Sequence, residues 1–148
     1  MGARTKARKR ALDIVFESEL RGLALGETLG DRRAAADPAL NPYTVTLVEG
    51  VIAHQTAIDA LISTYSAGWS LDRMPAVDRT VLRLGVFELM YVDEVPVAVA
   101  INEAVSLVKD LSTEESPAFV NGVLSRIARL ARQDTAAGDG SNETSRLS

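Results

Sequence analysis

Pro75-Ala76-Val77-Asp78-Arg79-Thr80-Val81-Leu82-Arg83-Leu84-Gly85-Val86-Phe87-Glu88-Leu89-Met90-Tyr91 is the stretch on which the fold turns. Val77, Val81, Leu82, Leu84, Val86, Phe87, Leu89 and Met90 fall around most of a helix circumference instead of alternating as in a half-buried strand. A helix that is apolar nearly all round is a buried one, so 75–91 is predicted to be the central rod of a helical bundle. Glu88 is the exception on that rod. An unpaired buried carboxylate is costly, so Glu88 must either reach a solvated edge or accept hydrogen bonds from a facing helix. Asn102 and Asn121 are candidate donors.

Working outward, the rod is flanked by five further helical patterns and no convincing strand. Residues 3–20 place Ala7, Ala11, Ile14, Val15 and Ser18 on one stripe, with Leu12 and Phe16 on its flank, and Gly22 ends the helix. Leu25–Ala36 is a shorter helix stopped before Asp37-Pro38. A long helix opens at Asn41-Pro42, Asn as N-cap and Pro at the first helical position, and breaks at Gly68. Its stripe contains His54, the only histidine, which reads as a partly buried core residue. Ser70 caps a single turn before Met74-Pro75. Beyond the Asp93–Pro96 turn, residues 99–111 resume the period, and Ser116-Pro117 starts a last helix running to about Arg132. The Gly/Asp/Ser/Thr-rich segment 133–148 reads as a disordered tail. The fold class is all-α: a single domain over 1–132, with an N-terminal lobe of about 1–66 and a C-terminal lobe of about 70–132.

Composition removes most function classes. There is no cysteine, so disulfides and thiol chemistry are excluded, and a single histidine leaves no pair to hold a metal. Glycines form no phosphate-cradling loop and no Gly-x-Ser-x-Gly occurs. The acidic pairs Asp93-Glu94 and Glu114-Glu115 fall in turns. The reading is a binding protein, not an enzyme, with no cofactor and no metal. No uninterrupted apolar run reaches roughly 18 residues and no signal-peptide pattern opens the chain, so a cytoplasmic protein without membrane contact is expected.

Charge supplies the positive signal. Arg4, Lys6, Arg8, Lys9 and Arg10 make five of the first ten residues basic, and none is acidic, while the other 138 carry 11 basic against 20 acidic side chains. These cations crowd a helix N-terminus, where the macrodipole disfavours each by on the order of 0.3–1 kcal/mol. A polyanionic partner would compensate. The bland alternative is a solvated arm in which Lys9 pairs with Asp13 one turn on.

The segment Ala76–Leu84 through Phe87-Glu88-Leu89, followed by Val95-Pro96, Val99-Ala100-Ile101-Asn102-Glu103-Ala104-Val105 and Ser116–Leu124, resembles the NusB family. The Ile-Asn-Glu-Ala and Phe-Val-Asn-Gly-Val-Leu blocks carry the likeness together, and Arg8…Phe16 fits the family's arginine-rich first helix. The resemblance covers residues 4 to about 130. It implies an all-helical, two-lobed bundle that binds the boxA element of ribosomal RNA leader transcripts. By the same resemblance the partner would be ribosomal protein NusE, within an RNA polymerase antitermination complex. By resemblance Arg4, Lys6, Arg8 and Arg10 would contact RNA, with Lys9 in the same arm. Phe119 would offer a stacking surface and Arg83 would lie on the RNA face. Asp78, Phe16 and Glu115 would belong to the NusE surface. The chain departs from the pattern at Phe16, often tyrosine; at Pro117-Ala118, which lack a frequent lysine; and at Thr5, often basic. Alternatives are a protein-only helical adaptor, a homodimer covering the RNA face, and the RNA-binding module of an rRNA cytosine methyltransferase. The chain ends before any cofactor domain that the last would need.

Overall fold

A computed structural model of the chain describes the backbone of residues 2–147 and the side chains of residues 2–131. Among the described residues there are six α-helices and no strand: α1 (Ala3–Arg21), α2 (Leu25–Ala35), α3 (Pro42–Tyr65), α4 (Ala76–Tyr91), α5 (Val97–Leu111) and α6 (Ser116–Leu147). A 3₁₀ turn, Leu71–Arg73, precedes α4. The expectation of a tail over 133–148 concerns residues whose side chains lie outside the described set.

Local chemistry explains most boundaries. Gly22 closes α1 in the left-handed region at φ 65°, where only glycine sits without strain. Asn41 starts α3, its side chain accepting the Tyr43 N–H at 2.8 Å with Pro42 in the first helical position. Two expected caps differ. Ser70 makes no side-chain cap bond to the 3₁₀ turn. The Ser116 hydroxyl, instead of capping the amides ahead of it, donates to Asp78 Oδ2 at 2.9 Å and accepts the Thr113 N–H.

α4 is the central rod, packed against α1, α3, α5 and α6. Val81, Leu82, Leu84, Val86 and Phe87 are buried together with the polar Asp78, Thr80 and Glu88. They join Ile14, Leu47, Val51, Ile58, Leu124 and Ile127 in one continuous core to which both halves of the chain contribute. Specific pairs give the directions. Arg8 meets Glu88 and Glu19 meets Arg79, so α1 runs antiparallel to α4. Gly50 faces Phe87 and Asp59 meets Arg83, so α3 is antiparallel to it as well. Ser116 meets Asp78 and Gly85 faces Leu124, so α6 runs parallel.

By length and averaged composition α3 would suffice to cross a membrane, although its apolar run is interrupted. Its apolar stripe is instead core: Leu47, Val48, Val51, Ile58 and Ile62 have no exposed surface, and Asp59 holds an arginine of α4. His54 is half-buried, as expected. Its ring stacks on Tyr91 with centroids 3.8 Å apart, at a point where α3 leaves helical angles (φ −120°, ψ 15°).

Candidate nucleic-acid interface

The cations of α1 divide into three sets. Arg8 turns inward and is 4% exposed. Its Nε and Nη2 donate to the two carboxylate oxygens of Glu88 at 2.8 and 2.9 Å, a bidentate fork. Tyr43 Oη donates to the same carboxylate at 2.7 Å, and Glu103 stands 3.5 Å from Arg8 Nη1. Burial alone would lower the Arg8 pKa, but the Glu88 hydrogen bond and charge outweigh it and hold the guanidinium above its ordinary value. Burial, with Glu88 next to it, pushes the Tyr43 hydroxyl well above the usual tyrosine range. The acceptor role of Glu88 is therefore filled by a charged donor from α1, correcting the expectation of Asn102 and Asn121, both of which are exposed. A neutral amide could not have balanced the buried charge.

This also corrects the place of Arg8 in the RNA set. With every carboxylate-facing N–H engaged and almost no surface, it has nothing to offer a phosphate. Two other assignments are corrected for the same reason. Arg83 donates to both oxygens of Asp59 at 2.8 and 3.1 Å and lies 3.7 Å from Glu19. Asp78, expected on the NusE surface, is 2% exposed and accepts from Ser112 Oγ at 2.6 Å and Ser116 Oγ at 2.9 Å. It ties the α5–α6 turn to the start of α4. Asp78→Ala strands two hydroxyls of that turn and is expected to cost about 2 kcal/mol, read from urea denaturation.

The second set is exposed but engaged. Arg4 lies over the Tyr43 ring at 4.4 Å and pairs with Glu94 at 2.9 Å, and Lys9 pairs with Asp13 at 2.7 Å. Such exposed pairs are worth well under about 1 kcal/mol, so a phosphate can compete for these cations. The third set is Lys6 and Arg10, exposed and without an ion pair among the described residues. They line a groove of about 740 Å³ whose far wall is the α2–α3 connection, Ala35 to Asn41.

Phe119 does not join the arm. It is half-buried near the start of α6, its ring 5.8 Å from that of Trp69. That end of α6 lies against the start of α4, whereas Arg8 lies against its end. The ten residues from Asp78 to Glu88 separate the two by about 15 Å of helix rise. Trp69 was missed by sequence reasoning, although a lone tryptophan beside Gly68 at a helix end was a legible signal. Phe16 is half-buried on α1 and Glu115 exposed one residue before α6.

A family model described as the NusB family matches residues 5–129. A protein named transcription antitermination protein NusB from Nocardioides sp. (strain ATCC BAA-499 / JS614) is 60% identical over 129 residues, 87% of this chain and 96% of its own length. One of the same name from Arthrobacter sp. (strain FB24) is 55% identical over 130 residues, 88% and 96% of the two chains. Among solved structures, T. maritima NusB superposes with a TM-score of 0.77 at 33% identity, covering 86% of this chain and 92% of that one. A crystal structure described as antitermination factors NusB and NusE in complex with dsRNA gives 0.75 at 32% identity, covering 86% and 96%. A central rod with a buried arginine–glutamate fork, a basic first helix and this extent of identity lead to one conclusion: the chain belongs to the NusB family.

Proposed function

We propose that this chain is a transcription antitermination factor that binds the boxA RNA of ribosomal RNA leaders together with ribosomal protein NusE. It would act within the RNA polymerase complex and therefore in the cytoplasm, as a binding protein without catalysis. The observation that carries this reading is the groove beside α1, where Lys6 and Arg10 present unpaired charge across from the single carboxylate of Asp37, on a protein whose other residues are net acidic. Arg4 and Lys9 add cations held only by exposed pairs. An acidic body repels RNA in general, so binding should be local and salt-dependent, with sequence preference coming from unstacked bases and from the partner. Phe16 and Glu115 remain the NusE-facing proposals, since both keep accessible surface.

The test is anisotropy titration of boxA RNA against a scrambled strand, with and without NusE. The wild-type chain is expected to prefer boxA, more strongly with NusE present. Lys6→Glu/Arg10→Glu should abolish binding while leaving the melting temperature within about a degree, because neither side chain is buried. Neutral Lys6→Ala/Arg10→Ala should reduce the log–log salt slope by about 1.4, at roughly 0.7 per phosphate on a single strand. Unchanged affinity after charge reversal would favour the protein-only adaptor. Arg8→Glu is unsuitable here, since it sets a second carboxylate against Glu88.

A further inference from the structure

We propose that Trp69, with Phe119 only backing it, offers a stacking face for an unpaired RNA base, at the opposite end of α4 from the basic arm; this rests on the RNA reading above. Trp69 is the only tryptophan and is 54% exposed, an unusual place for the largest apolar side chain. The backbone holds it there. After α3 ends, Ala67 and Gly68 both take the left-handed region (φ 55° and 88°), a strained choice for alanine. Ser66, fully buried, fixes the turn by donating from Oγ to the Trp69 carbonyl at 2.5 Å. Arg126 donates twice to the Tyr65 carbonyl, at 2.8 and 3.1 Å, and secures the end of α3.

The result is an outward aromatic on a hydrogen-bonded turn. Phe119 backs it, its ring tilted 44° and packed against the core beneath. Gly68, Trp69 and Arg73 line a hollow of about 300 Å³, and no carboxylate lines it. Arg73 is exposed and makes no ion pair among the described residues. A ring face with an unpaired guanidinium beside it matches a nucleotide, the base on the aromatic and the phosphate on the cation. One strand could then meet phosphate-binding cations at the arm and stack a base at the other end.

Because Trp69 is the only tryptophan, its fluorescence reports the site directly. The full chain, alone and preassembled with NusE, is titrated with single-stranded boxA RNA and with the same strand carrying abasic positions. Tryptophan quenching is expected to saturate with RNA binding and to be lost with the abasic strand that matches the contact. Trp69→Ala should weaken binding by about 5- to 150-fold, the range for one base–aromatic stack, with an unchanged salt slope, and Trp69→Phe should recover most of the affinity. Wild-type affinity in Trp69→Ala, while Lys6→Glu/Arg10→Glu still abolishes binding, overturns the stacking face and leaves the RNA reading standing. Quenching by NusE alone, with NusE affinity and not RNA affinity lost in Trp69→Ala, assigns the patch to the protein partner and also overturns it. No RNA binding by the wild-type chain with NusE defeats both readings.

Discussion

Glu88→Ala is expected to remove about 3–5 kcal/mol of folding stability, the usual consequence of leaving one member of a buried ion pair without its partner. At this chain length that lowers the melting temperature by about 10 °C or more. The loss would exceed any contact energy assigned to the carboxylate, because Arg8 would remain almost without surface, with Glu103 at 3.5 Å as its remaining counter-charge, and the Tyr43 hydroxyl would lose its acceptor. Arg8→Ala should cost a similar amount by leaving Glu88 charged in the core. Replacing both at once by apolar residues of similar size, Arg8→Met/Glu88→Leu, should recover most of the stability, since the desolvation penalty disappears with the charges. Calorimetry on the wild type, Arg8→Met, Glu88→Leu and the double variant checks this as a cycle. Additive losses would mean that Arg8 and Glu88 do not depend on one another, contrary to the bidentate geometry. The same cycle separates structure from binding. Lys6→Glu/Arg10→Glu should remove RNA affinity at constant stability, and the Arg8 variants should do the reverse in proportion to what remains folded.

Gly50→Ala should be the most disruptive alanine substitution among the glycines of the described residues. A Cβ at this position would lie 2.1 Å from Cε2 and Cζ of Phe87, far inside van der Waals contact. Two effects oppose each other. Alanine gains up to about 1 kcal/mol over glycine in a helix interior. Overpacking a filled core costs about 1–3 kcal/mol and sometimes more. Phe87 is a rigid ring, buried and stacked towards His54 and Tyr91, so it cannot move aside without parting α3 from α4. The steric term should therefore win, with a net loss of about 2 kcal/mol or more in urea denaturation. Gly85→Ala provides the contrast. Its Cβ would meet the terminal methyls of Leu124 at 3.0 and 3.2 Å, atoms that a rotamer adjustment can withdraw. Its loss should be smaller. In a Phe87→Leu background Gly50→Ala should become nearly neutral, and failure of that rescue would place the clash elsewhere.

The basic arm shows how far local sequence information reaches. On a helix over 3–20 Arg8 falls between Val15 and the flanking Leu12, and the structure buries it there. The dipole argument asked for negative charge near these cations. Glu94, Glu88 and Glu103 supply part of it from 80 to 95 residues away. Charge and resemblance both grouped Arg8 with the RNA contacts, because a charge count and a motif record residue type and not the direction in which a side chain points. Asp78 and Arg83 were misplaced in the same way: both are charged residues on the central rod whose partners lie on other helices.

What the sequence by itself determined was the set of helices, the absence of strands among the described residues and the burial of the middle of the central rod, although Tyr91 at its end is exposed. These follow from periodicity and from terminal signals such as Asn41-Pro42, Gly22 and Gly68, all of which act within a few residues. Only the tertiary structure decided which charges are free, since pairing depends on carboxylates distant in the chain. It also separated Phe119 from the arm and set it beside Trp69, because α6 runs parallel to α4 while α1 runs antiparallel to it. Helix direction within a bundle is fixed by packing and connection geometry, which leave no trace in the period of any single helix.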